Sequence, residues 1–135
     1  MDAQDMGNAL ERILVTEDEL ARRMAELAAE IDADYQGKEI LLVGVLKGAV
    51  MVVADLSRHL HTPLSMDWMA VSSYGAGTKS TGVVRILKDL DTDVTGRDVL
   101  IVEDIIDSGL TLSWLRENLL ARGAASVEIA AALRK

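Results

Sequence analysis

Residues with chemical potential gather in one short stretch, Glu103-Asp104-Ile105-Ile106-Asp107-Ser108-Gly109-Leu110-Thr111. Three acids fall within five residues, Glu103, Asp104 and Asp107, and Ser108 and Thr111 flank a glycine and a leucine. Carboxylates at this density can hold Mg²⁺, which prefers oxygen ligands and keeps most of its waters. The hydroxyl-glycine turn has a second use. Where a helix begins there, backbone N–H groups, hydroxyls and the positive end of the helix dipole converge and form a phosphate cradle. An ordinary solvated turn, with Asp107 or Ser108 as helix N-cap, would use the same residues.

Other stretches carry weaker signals. Leu46-Lys47-Gly48 interrupts an apolar run just ahead of a helical pattern, where a lysine and a glycine can meet an anionic group or simply make a turn. Ser72 to Thr81, SSYGAGTKST, has no core-facing pattern and reads as a loop. Its Ser73, Tyr74 and Lys79 could close over a reactive centre and exclude water, or the loop could be a plain hairpin connection. His59 and His61 sit at a helix end with no carboxylate or thiol ligand nearby in sequence, so surface positions are expected. The chain has no Walker A loop, no dinucleotide fingerprint and no Gly-x-Ser-x-Gly elbow.

The elements that must position these residues follow from hydrophobic period. Val99 to Val102 is a continuous apolar run and Glu39 to Val45 (EILLVGV) is largely apolar, the mark of strands covered on both faces. A strand is predicted over 98–103, closing on the acids. Thr16 and Glu19 fit a capping box for a helix whose Leu20, Met24, Leu27, Ala28 and Ile31 recur at helical spacing and which ends near Asp34. Further helices are predicted over 49–60 and from about Leu112, with Gly123 as the C′ residue of the latter. Strands are predicted over 65–71, 82–88 and 127–133, and a short edge strand over 10–15. Trp68, Trp114 and the methionines are expected to fill gaps in the core. Strands alternating with helices argue an α/β fold, a mostly parallel sheet flanked by helices, in which ligands bind beyond the C-terminal strand ends.

The 135 residues suit one domain, 1–135, with enough chain for a sizeable core. A net charge of −8 disfavours nucleic-acid binding through a general basic face. No cysteine is present, which removes disulfides and thiolate chemistry. No apolar run is long enough to cross a bilayer, so a cytoplasmic protein with no membrane partner is expected.

The stretch Val102 to Thr111 resembles the phosphoribosyl-diphosphate (PRPP) motif of type I phosphoribosyltransferases, in detail the hypoxanthine-guanine branch. Leu42-Val43-Gly44-Val45-Leu46-Lys47-Gly48-Ala49 and Ser72-Ser73-Tyr74-Gly75 agree in the same order, and the likeness runs from about Ile13 to the end. The resemblance implies a Rossmann-like core and transfer of the phosphoribosyl group from PRPP to hypoxanthine or guanine, giving IMP or GMP and pyrophosphate, with Mg²⁺. By position, Glu103 and Asp104 would meet the ribose hydroxyls and support the metal. Asp107 would be the general base near the purine N7, and Asp107, Ser108, Gly109, Leu110 and Thr111 would hold the 5′-phosphate. Lys47 and Gly48 would form the pyrophosphate loop, often with a cis peptide before the lysine, and Ser73 and Tyr74 would belong to the closing loop. The family's base-contacting groups follow the last strand, and none is assigned on residues 1–135, so a core without a complete hood is expected. A homo-oligomer, dimer or tetramer, is what the resemblance suggests. Two alternatives stand beside the enzyme: a PRPP- or nucleotide-binding regulator on the same scaffold, and an inactive short domain.

Overall fold

The computed structural model describes residues 17–73, 84–106 and 109–134. Helix α1 (Glu17–Asp34) buries Met24, Leu27, Ala28 and Ile31 along one stripe. Leu20, expected on that stripe, is 36% exposed, because it lies a turn ahead of the point where α1 meets the sheet cluster. Strand β1 (Ile40–Val45) is buried along its whole length. Helix α2 (Val50–His59) buries Val53 and Leu56. Strand β2 (Leu64–Ser73), strand β3 (Val84–Lys88), strand β4 (Asp98–Ile106), helix α3 (Leu110–Ala121) and strand β5 (Ser126–Arg134) complete the order.

The five strands form one sheet in the order β3-β2-β1-β4-β5. β1 pairs in parallel with β2 and with β4, and β4 with β5, while β3 is an antiparallel edge. The apolar runs are continuous because each central strand serves two cores. Ile40 and Leu42 of β1 and Leu100 and Val102 of β4 join a cluster with α1 and α2. Leu41 and Val43, with Val99 and Ile101, join a second cluster with α3. Full burial of each such side chain contributes about 1.5–3 kcal/mol.

Two observed features differ from the sequence expectation. Strand β4 does not close on the acids: its pairing with β5 carries on through Ile105 and Ile106, so Glu103 and Asp104 stand inside a strand. Two of the methionines, Met51 and Met66, are 69% and 43% exposed, while Met24 and Met69 do fill the core. The C-terminus of α3 follows the expected pattern. Gly123 has φ +97°, its N–H donates to Leu120 O, and the Ala124 N–H donates to Leu119 O, the paired bonds of a Schellman motif. Residues 10–15 and Thr16 lie outside the described residues.

Candidate active site

Because β1, β2 and β4 are mutually parallel, the segments that follow them leave from one end of the sheet. These are the turn at 46–49, the chain beyond Ser73 and the chain beyond Ile106. β1 stops pairing with β4 at the Gly44–Val102 partners, so Asp104 to Ile106 lie beyond Val45, the last residue of β1. β1 is bordered by β2 on one side and β4 on the other, and the crevice between their diverging connections is the switch point where open α/β sheets take ligands.

The turn after β1 is pinned from several sides. The Leu46 N–H donates to Met69 O at 2.8 Å, the Ala49 N–H to Val45 O at 3.2 Å and the Val50 N–H to Lys47 O at 3.2 Å. The Leu46–Lys47 peptide is cis, as the resemblance implied. Lys47 and Gly48 are exposed, whereas Ala49 is fully buried and anchors the start of α2.

Asp104 shares strand parity with Leu100 and Val102, which places it on the α2 side of the sheet. It comes against the turn: a Cβ built on Gly48 would lie 2.8 Å from Asp104 Oδ2 and 3.0 Å from its Oδ1 and Cγ. Glu103 has the opposite parity, yet its side chain curls back, and Oε1 accepts the Asp104 N–H at 3.0 Å. The pleat alone would have separated the two acids; this local bond reunites them. Burial pushes the Glu103 carboxyl up to about 7, and its side-chain contact with Asp104 and that residue's negative charge add to the rise. Two acids held together are chemically suited to a hard cation, which takes one or two carboxylates and completes its shell with water or substrate oxygens. Among the described residues no group of three or more acids, histidines or cysteines forms a cage.

Helix α3 begins at Gly109, which has φ +78° and no side-chain hydrogen bond capping it. Asp107 and Ser108, the expected N-cap candidates, lie outside the described residues, as does Tyr74. Gly109, Leu110 and Thr111 form the start of the helix immediately beyond β4, the place where a helix dipole favours an anion. Ser73 is the last residue of β2 and pairs with Val84.

Sequence reasoning missed two close approaches. At Gly44 a Cβ would run into the Trp68 ring, so the glycine lets the indole lie across β1. The other is Gly48 against Asp104. The signal for the first was available, a glycine inside a buried strand pattern. The second needed the knowledge that β1 and β4 are neighbours. His59 and His61 are exposed, as expected. His61 borders a shallow cavity of about 630 Å³ with Asp32, Tyr35 and Lys38 at the opposite end of β1 and β2, away from the acids.

Comparison with known proteins agrees with this geometry. Residues 13–135 match the family model described as the phosphoribosyl transferase domain, which defines the class. The chain is 52% identical over 132 residues to the hypoxanthine-guanine phosphoribosyltransferase of Mycobacterium tuberculosis strain H37Rv, covering 93% of this chain and 65% of that protein. It is 52% identical over 130 residues to the Bacillus subtilis enzyme of the same name, covering 96% of this chain and 72% of the relative. The crystal structure of a hypoxanthine phosphoribosyltransferase from Staphylococcus aureus superposes with a TM-score of 0.92 at 45% identity, over 97% of this chain and 71% of that one. The chain belongs to the hypoxanthine-guanine phosphoribosyltransferase family. It spans 65% of the length of the mycobacterial relative.

Proposed function

We propose that this chain is one phosphoribosyltransferase core domain of purine salvage. It transfers the 5-phosphoribosyl group of PRPP to hypoxanthine, and to guanine, giving IMP or GMP and pyrophosphate. The observation that carries the reading is the meeting of two strand-end segments at the switch point, with the Asp104 carboxylate lying against Gly48. One segment supplies a lysine and a glycine, the other carboxylates and a helix start. That combination suits a sugar carrying a pyrophosphate on one side and a phosphate on the other.

In this reading Lys47 and Gly48 receive the pyrophosphate. Asp107, Ser108, Gly109, Leu110 and Thr111 hold the 5′-phosphate at the start of α3. Glu103 and Asp104 face the ribose hydroxyls and support Mg²⁺, which when bound neutralises charge on the leaving pyrophosphate. The purine N9 forms a bond to C1′ as the C1′–O bond to pyrophosphate breaks, its electron pair leaving with the pyrophosphate. Asp107 takes the proton shed at N7. The ring passes through a cationic, oxocarbenium-like state, and the acids beside it favour that charge. Ser73 and Tyr74 close over the centre and keep water from the cation. Among the described residues no helix is long and apolar enough to cross a membrane, in keeping with a cytoplasmic enzyme. A homo-oligomer, dimer or tetramer, is what membership of the family suggests.

The purified chain, mixed with Mg²⁺, PRPP and hypoxanthine, is expected to form IMP, detected by chromatography. Asp107→Asn should slow turnover by about 10²–10⁴-fold, the usual contribution of a positioned general base. PRPP binding without IMP formation would instead favour a regulator or an inactive domain.

A further inference from the structure

Gly48 has two possible reasons for being glycine. The first is backbone conformation. Among the described residues positive φ is found at Gly37, Gly96, Gly109 and Gly123, and Gly48 is not one of them. Its backbone is one that side-chain-bearing residues adopt, so the left-handed region does not require it. The second reason is space. The position a Cβ would take is 2.8 Å from Asp104 Oδ2, closer than a carbon approaches, and 3.0 Å from Oδ1 and Cγ, at the tight limit of such contacts.

Neither backbone can give way cheaply, so the shift falls on the Asp104 side chain. The turn at 46–49 is tied to β2 and to α2 by the hydrogen bonds from Leu46 and Val50, and Ala49 beside it is fully buried. Asp104 belongs to a strand whose neighbours Glu103 and Ile105 are registered with Ala131 and Leu133 of β5. With both backbones held, an added methyl group is relieved by turning the Asp104 carboxylate away.

We infer that Gly48 is a positioning residue: the bare α-carbon of the turn after β1 is the wall that sets the direction of the Asp104 carboxylate on β4. This rests on the functional reading above, in which Asp104 faces the ribose and its metal. The two half-sites for PRPP are then mechanically joined. A ligand that shifts the turn at 46–48 also reorients the acid facing the sugar.

A double-mutant cycle tests this. The wild-type chain, Gly48→Ala, Asp104→Ala and the double variant are titrated calorimetrically with PRPP in excess Mg²⁺, and the thermal unfolding of each ligand-free chain is recorded. Positioning through Asp104 predicts that Gly48→Ala weakens binding at least about tenfold in the wild-type background and by less than about twofold when Asp104 is already alanine. It also predicts that Gly48→Ala lowers the melting temperature only while the Asp104 side chain is present. If Gly48→Ala folds only together with Asp104→Ala, the contact is likewise established. Equal losses of binding in both backgrounds would mean that Gly48 acts on the ligand directly, and would overturn the inference. So would equal drops in melting temperature, or failure to fold in both. Absence of PRPP binding by the wild-type chain would remove the functional reading and the role assigned to the carboxylate, while the melting comparison would still decide the contact.

Discussion

Asp67 sits in the middle of β2 with only 5% of its surface exposed, a charged group inside the layer between sheet and α3. Its charge survives there because the segment after β3 wraps back to meet it. Oδ1 accepts the Trp68 N–H at 2.7 Å, and Oδ2 accepts the N–H groups of Asp91 and Thr92 at 3.0 and 2.8 Å. Burial pushes this carboxyl up, but the bonds from the Thr92 hydroxyl and from the three backbone N–H groups outweigh it, and the net shift is downward. Asp67→Ala would leave those donors without their acceptor, and should cost about 2–4 kcal/mol of stability, read as a lower urea midpoint at neutral pH. Nothing local in Ser65 to Val71 signals this, since the partners other than the Trp68 N–H lie beyond β3. The pairing of Glu103 with Asp104 was legible for the opposite reason: the two are adjacent in sequence.

Among the elements, the strands served by two cores were the plainest to read, because a run such as Ile40 to Val43 has no polar face to hide. Their ends were harder. β4 continues past the acids on the strength of its pairing with β5, and a pairing partner downstream leaves no trace in the strand's own pattern. The reach of β2 to Ser73 is likewise set by β3. Gly44 shows how one residue can govern an element's fit. The Trp68 ring from β2 and Val53 from α2 both lie where its Cβ would be. Gly44→Ala should therefore overpack this face and destabilise the chain by about 1–3 kcal/mol, measurable as a drop in melting temperature. Substituting Trp68 with leucine in the same chain should recover part of that loss, because it vacates the space.

For the molecule as a whole, strong acid should be destabilising through Asp32 and Asp67, whereas the raised Glu103 carboxyl acts with the opposite sign, adding stability as the pH falls below about 7. Asp32 accepts the N–H groups of His61 and Thr62 and the Thr62 hydroxyl, tying α1 to the start of β2. Burial raises its carboxyl, but these bonds and the nearby His61 outweigh that and hold it below its usual value, as with Asp67. A carboxylate whose folded pKa is lowered binds protons more readily when unfolded. Its contribution is therefore complete above the unfolded value, 3.8 for both groups, and is lost as the pH falls from there through the lowered folded value. Urea midpoints should hold level with respect to these two groups above about pH 5 and decline below about pH 4. In Asp67→Asn the decline should be shallower, and an unchanged slope would show that Asp67 does not contribute to it. Composition had already set the background, a chain with net charge −8 at neutrality, but not which of its many acids are linked to folding.

The place of β1 in the sheet also bears on how the chain acquires its shape. On one side Ile40 pairs with Leu64, reached through the single helix α2; on the other it pairs with Asp98, reached only after β2 and β3 have been traversed. The first pairing closes a short loop and the second a long one, and contacts distant along the chain form late and slow the search. The crevice that brings Lys47 and Gly48 to Glu103 and Asp104 is built on that second, distant pairing. An intermediate holding β1, α2 and β2 would possess a lysine turn and no acids beside it. Competence to bind PRPP would then arise in the closing step of folding, and a nascent chain would acquire it only once β4 had been made and docked.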